Sequence, residues 1–259
     1  MDGSTITLTT DFGETDPYVA SMKGVLTKLA PGVPVLDLSH AIPPQEVFEA
    51  ALFLAGCVPW FPAETVHVVV VDPGVGTERM PIAVRWRGQL LVGPDNGVFT
   101  MLARKAPFEG IRRIEHPECR MEPVSATFHG RDVFAPTGAK LAMGMPFETI
   151  GAVVVAPVML CVPEPKRLGN VITGEVIHID RFGNTITNIS DDDIKISNTY
   201  AVTVGSHSIT GIMRTYGEAP QGAPLALIGS GGFLEIAVNQ GNAHRALGLN
   251  RGMPVYVET

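Results

Sequence analysis

One stretch of β-branched residues, Val66-His-Val-Val-Val-Val71, shows no alternation with polar positions and runs straight into Asp72-Pro-Gly-Val-Gly76. A continuous run of this kind predicts a strand covered on both faces, as in the parallel sheet of an α/β domain. Upstream, residues 5–10 (Thr-Ile-Thr-Leu-Thr-Thr) predict a first strand that ends at Asp11-Phe-Gly13. Val19, Met22, Val25, Leu26 and Leu29 recur at helical spacing and predict a helix over 18–29, stopped by Pro31-Gly32. A second strand is expected over 33–38, ending at Ser39-His40. A second helix is expected over 45–57, with Val47, Ala50, Ala51 and Leu54 on one face. Beyond Asp72 the pattern predicts a hairpin, 81–86 and 89–92 about Arg87-Gly88, that leads into Gly93-Pro-Asp-Asn-Gly97. Strands alternating with helices predict an α/β domain with a mainly parallel sheet.

The pattern changes at Pro163-Glu-Pro-Lys-Arg-Leu-Gly169, where prolines and charges suit a linker. Beyond it come short strands, expected at 171–179, 185–189, 201–204, 225–228, 233–238 and 254–257, with turn residues between them and little helix. A small all-β, barrel-like domain fits this spacing. The expected organisation is an α/β domain over 1–163, a linker over 164–169 and a β-barrel-like domain over 170–259.

Composition narrows the classes. The 259 residues are 45% apolar, enough for a substantial core, and the formal charge of -7 argues against nucleic-acid or anionic-membrane surfaces. No apolar run approaches the ~20 residues that span a bilayer. The first residues, Met1-Asp-Gly-Ser-Thr-Ile-Thr-Leu8, lack the basic and apolar regions of a signal peptide. Cys57, Cys119 and Cys161 are odd in number and form no CxxC, so a reduced, cytoplasmic setting is expected and a structural zinc site is not.

Ligands of open α/β sheets bind beyond the carboxyl ends of the strands, which is where Asp72 falls, with Arg79 on the same glycine-rich segment. Further polar clusters stand at strand ends: Asp11-Phe-Gly-Glu-Thr-Asp16, Gly93 to Gly97, and Thr127-Phe-His129-Gly-Arg131-Asp132. The second half adds Asp180-Arg-Phe182-Gly-Asn184 and Gly229-Ser230-Gly-Gly-Phe-Leu-Glu235. Each also fits a structural role: Asp11 as a cap or turn residue, Asp95-Asn96 as turn chemistry, Asp180 and Asn184 as the flanks of a glycine turn. There is no GxGxxG after the first strand, no phosphate-binding lysine loop, no HExxH and no Gly-x-Ser-x-Gly elbow. The residues by themselves point to a small polar ligand held between two domains, with an Asp, an Arg and a His for acid–base or electrostatic work.

The ordered set of motifs resembles one family. Thr9-Thr-Asp11-Phe-Gly, Val71-Asp72-Pro-Gly-Val-Gly, Gly93-Pro-Asp-Asn-Gly97, Thr127-Phe-His-Gly-Arg-Asp132, Asp180-Arg-Phe-Gly-Asn184 and Gly229-Ser-Gly-Gly-Phe-Leu-Glu-Ile-Ala-Val-Asn239 look like those of the S-adenosyl-L-methionine (SAM) hydroxide adenosyltransferases, or SAM hydrolases, relatives of fluorinase and chlorinase. The resemblance implies an enzyme that cleaves SAM to adenosine and L-methionine without metal or cofactor. It also implies a homotrimer with sites between subunits. It maps the set that holds water or hydroxide onto Asp72, Arg79 and His129. It maps the ribose carboxylate onto Asp11, the methionine amino group onto Asp16, and the adenine side onto Phe182 and Asn184. The methionine end falls to the loop of Ser230, and Asp180 and Glu235 lie in these same substrate-binding motifs. The halogenases differ: a tyrosine stands at the position of Asp72, fluorinase has a fluoride-contacting serine at that of Gly130 and an arginine at that of Gly231, and it carries an extra loop in the first domain. The rival readings are a chlorinase-like halogenase, a non-catalytic SAM or adenosine binder, and a metal hydrolase built on Asp11, Asp72, Asp95 and His129.

Overall fold

The computed structural model describes residues 4–194, 196 and 199–259; residues 1–3, part of the segment read for a leader, lie outside it. The chain divides into two compact units, the first ending at Leu160 and the second beginning at Cys161.

In the first unit the strands are β1 (Ile6–Thr10), β2 (Val35–Ser39), β3 (Val66–Val70), β4 (Pro81–Trp86), β5 (Gln89–Pro94) and β6 (Gly110–Arg113). They form one sheet in the order β2-β1-β3-β5-β4-β6. β1 pairs parallel with β2 and β3, and β3 with β5, whereas β4 runs antiparallel to both β5 and β6. The expected mainly parallel sheet is therefore a mixed one. The antiparallel half follows from the tight turn at Arg87 and Gly88, whose positive φ angles of 49° and 72° reverse the chain within two residues.

The helices are α1 (Tyr18–Leu29), α2 (Val47–Cys57), α3 (Thr100–Lys105) and α4 (Ala135–Ala142). Val66, Val68 and Val70 of β3 pack in one core with Met22 and Leu26 of α1 and Ala139 of α4. Val69 and Val71 join the opposite core, with Leu54 of α2, Leu102 of α3, and Trp86. Burial on both faces is what the unbroken β-branched run requires.

His67 is the one polar residue within that run and is fully buried. Its Nε2–H donates to Gln89 Oε1 at 3.1 Å, and Nδ1 accepts from the Thr7 hydroxyl at 2.7 Å, the tautomer that satisfies both partners. Gln89 in turn donates to the Val58 and Phe61 carbonyls, so the imidazole ties β1, β3 and β5 to the segment after α2.

The second unit contains β7 (Lys166–Leu168), β8 (Val171–Ile179), β9 (Thr185–Ser190), β10 (Ala201–Val204), β11 (His207–Thr210), β12 (Pro224–Ile228), β13 (Phe233–Val238), a short helix α5 (Ala243–Leu247) and β14 (Pro254–Glu258). The sheet order is β11-β10-β14-β8-β9-β13-β12, with β7 added on β8, and neighbouring strands pair antiparallel. β8 pairs with β14 through its first half and with β9 through its second, which curls the sheet. A bridge between Met213 and Leu227 brings the two end strands together, so the barrel-like sheet is nearly closed around Ile172, Val176, Ile189, Val202, Ile236 and Val257. Residues 166–168, within the stretch read as a linker, are thus part of this sheet.

Burial pushes the His67 imidazole down to about 4, from an ordinary 6.5. A buried neutral histidine contributes stability that is present above pH 6.5 and is lost as pH falls toward 4. From these values the loss between pH 7.5 and pH 5 is about 2 kcal/mol. Chemical denaturation at the two pH values checks it: wild type should lose about 2 kcal/mol more than His67→Gln. Equal losses in the two proteins would remove His67 as the cause.

Candidate functional site

β3 ends beside a loop that reverses within a few residues. The Val75 and Thr77 amides donate to the carbonyls of Asp72 and Gly74, and the Thr77 hydroxyl also caps the Gly74 carbonyl at 2.7 Å. Gly76 has φ 77°, and a Cβ there would lie 2.4 Å from the Ala126 carbonyl oxygen, so only glycine lets the loop close against that segment.

The reversal returns Arg79 to Asp72. Nε donates to Oδ1 at 3.0 Å and Nη2 to Oδ2 at 2.5 Å, a two-pronged pair whose side chains are only 7% and 5% exposed. Nη2 also donates to His129 Nδ1 at 3.1 Å, which places the histidine proton on Nε2. The guanidinium lies 5.4 Å from the Phe134 ring centre, and its Nη1 is buried without a hydrogen-bond partner. Burial raises the Asp72 carboxyl above its ordinary range, offset in part by Arg79. Burial, together with the Arg79 charge, lowers the His129 imidazole. The site thus holds a more basic carboxylate and a neutral imidazole around one guanidinium with a free donor.

His129 precedes a π-helical turn, Gly130–Phe134, that leads into α4. Its neighbours Arg131 and Asp132 belong elsewhere. Arg131 binds Asp132 through Nε at 2.6 Å and Nη2 at 2.8 Å, and Asp132 accepts the Ser125 amide, fixing the segment before His129. The Gly93 to Gly97 motif also supports the site. Asn96 Nδ2 donates to the Val71 carbonyl at 2.9 Å, holding the residue before Asp72, while buried Asp95 accepts the Val158 amide.

Asp11 follows β1, and its Oδ2 accepts the amide of Gln45, a residue at φ 66°. Asp16 is exposed in the turn before α1. Neither bonds to Asp72, Arg79 or His129. An aromatic trio links the two regions: Phe12, Tyr18 and Phe128 pack with ring centres 5.3 to 6.0 Å apart. Sequence reasoning passed over this trio, although Phe12 directly follows Asp11 and Phe128 directly precedes His129.

The remaining candidates belong to the second unit. Asp180 Oδ1 accepts the Phe182 and Asn184 amides at 2.9 and 2.8 Å, and Oδ2 accepts Asn184 Nδ2 at 3.0 Å. This self-bonded loop leaves Phe182 74% exposed. Ser230 sits in the turn between β12 and β13. Buried Glu235 on β13 accepts the Tyr216 hydroxyl at 2.5 Å; burial raises its carboxyl, and the Asp180 charge adds to that rise. Among the described residues no group of three or more His, Cys, Asp or Glu could hold a metal ion, and no helix is long and apolar enough to cross a membrane.

Two family descriptions match the chain: the SAM hydroxide adenosyltransferase N-terminal domain over residues 6–151 and its C-terminal domain over residues 174–256. The (R)-S-adenosyl-L-methionine hydrolase of Thermus thermophilus is 46% identical over 95% of this chain and 96% of its own length. A fluorinase of Actinoplanes sp. is 26% identical over 97% of this chain and 96% of its own. The crystal structure of an uncharacterized conserved protein from Thermotoga maritima superposes with TM-score 0.91 at 35% identity, covering 98% of this chain and all of that one.

Replacing Gly76 by alanine forces a side chain onto the Ala126 carbonyl at positive φ. The Gly76→Ala variant is expected to lose about 1–3 kcal/mol of stability in a denaturant titration. A stability equal to wild type would show that the loop closes by another path.

Proposed function

The chain belongs to the SAM hydroxide adenosyltransferase family, and on that premise we propose that it is an enzyme hydrolysing SAM to adenosine and L-methionine. The observation that carries the reading is the buried contact of Asp72, Arg79 and His129 around an unpartnered guanidinium nitrogen.

The chemistry needs what those residues offer. Sulfonium is an activated leaving group, because methionine departs as a neutral thioether and requires no acid. The difficulty lies in the nucleophile, since neutral water attacks a primary carbon slowly. Arg79 favours the anionic form of a bound water, and His129 orients the oxygen. Asp72, made more basic by burial, takes the proton as that oxygen bonds to the ribose 5′ carbon. The C5′–S bond breaks with its electron pair on sulfur, so water and the sulfonium give adenosine, methionine and one proton. Opposite charges neutralise in the transition state, which a dry site favours. No step calls on a cofactor or a metal.

In this reading Asp11 holds the ribose hydroxyls and Asp16 meets the methionine amino group. Phe182 and Asn184 contact adenine, Ser230 lies at the methionine end, and Asp180 and Glu235 belong to the substrate-binding motifs of the second unit. The assembly is a cytoplasmic homotrimer with sites shared between subunits. The half-exposed trio of Phe12, Tyr18 and Phe128 gives the nucleoside an apolar wall. Water is favoured over halide by the packing at Gly130. A Cβ there would lie 3.2 Å from Met22 Sδ and 3.3 Å from Val70 Cγ1, which leaves little space for the serine of fluorinase.

Chromatography of products after incubation with SAM tests the reading. Adenosine and methionine are expected in equal amounts, unaffected by EDTA and without 5′-chloro product in excess chloride. Asp72→Asn, which keeps a partner for Arg79, should lower turnover by about 100-fold or more while binding adenosine like wild type. Wild-type turnover in that variant would remove Asp72 from the mechanism.

A further inference from the structure

Hydrolysis consumes one water per turnover, and that water must arrive while SAM fills the ribose side of the site. Next to the reacting residues the first unit contains a half-open concavity of ≈ 220 Å³, lined by Arg79, His129, Thr77, Arg113, Arg120 and Val124 among others. Asp11, Phe12, Phe128 and Asp72 take no part in its wall. At about 30 Å³ per molecule it holds several waters. A larger concavity of ≈ 670 Å³ adjoins it, sharing Arg120 and Val124 and continuing along Pro117, Glu122 and Pro123.

The shared wall is well placed to be permanent. Arg120 Nη2 donates to the Ile114 carbonyl at 2.7 Å, and buried Asp132 accepts the Ser125 amide while its carbonyl accepts the Met121 amide. These bonds pin both ends of the segment that carries Val124, whose side chain is 39% exposed. At the inner end the guanidinium, 7% exposed, keeps Nη1 as a donor without a protein partner. A buried donor of this kind calls for an acceptor, and water is the acceptor a polar cavity supplies.

We propose that the two concavities form a solvent route that reaches Arg79 and His129 from the side away from Asp11. The inference rests on the hydrolase reading. Water enters along Arg120 and Val124 to Arg79 and gives its oxygen to the ribose carbon as its proton passes to Asp72, from which it is released to solvent after the reaction. The substrate can then remain enclosed throughout the reaction, because the co-substrate uses a separate door. Val124 and Arg120 set the width of that door.

Steady-state kinetics on Val124→Trp, with adenosine affinity by calorimetry and a melting curve, tests the route. The expected result is a kcat at least about tenfold below wild type, roughly 1.4 kcal/mol of barrier, with adenosine affinity and melting temperature unchanged. Val124→Ala, which widens the door, should keep the full rate, and Arg120→Trp, which fills it from the other shared residue, should repeat the loss. Unchanged kcat in both tryptophan variants overturns the route, as does a loss of rate accompanied by an equal loss of adenosine affinity. A wild-type protein that leaves SAM intact sinks the hydrolase reading itself, and this route with it.

Discussion

The buried ion pair of Asp72 and Arg79 is the constraint on which the first unit's site is built. Both side chains are more than nine-tenths enclosed, so each charge is held chiefly by the other. Removing one partner of such a pair strands the other, at a cost of about 3–5 kcal/mol. The surroundings are arranged to keep the pair together. β3 presents the carboxylate, Gly76 permits the reversal, Asn96 holds the residue before Asp72, and the Phe134 ring lies beside the guanidinium. His129 is then placed by its bond to Arg79, and burial, together with the positive charge beside it, favours its neutral form.

How much of this was legible in the sequence depended on whether the signal was local. The run 66–71 announced a strand buried on both faces, because every side chain of it except His67 is apolar and β-branched. The turn at Arg87-Gly88 announced its hairpin for the same reason. The parallel character of the sheet was overestimated: β6 carries only four residues, too few for a periodic pattern, and adds a second antiparallel pairing. β7 and β11 were missed for similar reasons of length, and the prolines around β7 read as a linker.

At the site, the acidic, basic and imidazole residues could be picked out as types, but their partners could not. In Thr127 to Asp132, one histidine faces the ion pair while the adjacent arginine and aspartate bind each other and brace the chain. Nothing in residue order separates those duties. The contact among Phe12, Tyr18 and Phe128 joins segments more than a hundred residues apart in the chain, and only the fold brings them together. The Asp180 loop is the opposite case. Its hydrogen bonds close within five residues, so glycine, aspartate and asparagine at those positions were sufficient to flag it.

The short separation between Asp72 and Arg79 has a consequence for descent. Both members of the pair lie on one loop, seven residues apart, and are inherited as a block. Recombination between distant segments does not split them. The sheet beneath draws its cohesion from the two apolar cores and not from this loop. A descendant that exchanges the block therefore retains a folded scaffold on which another set of polar side chains can be tried.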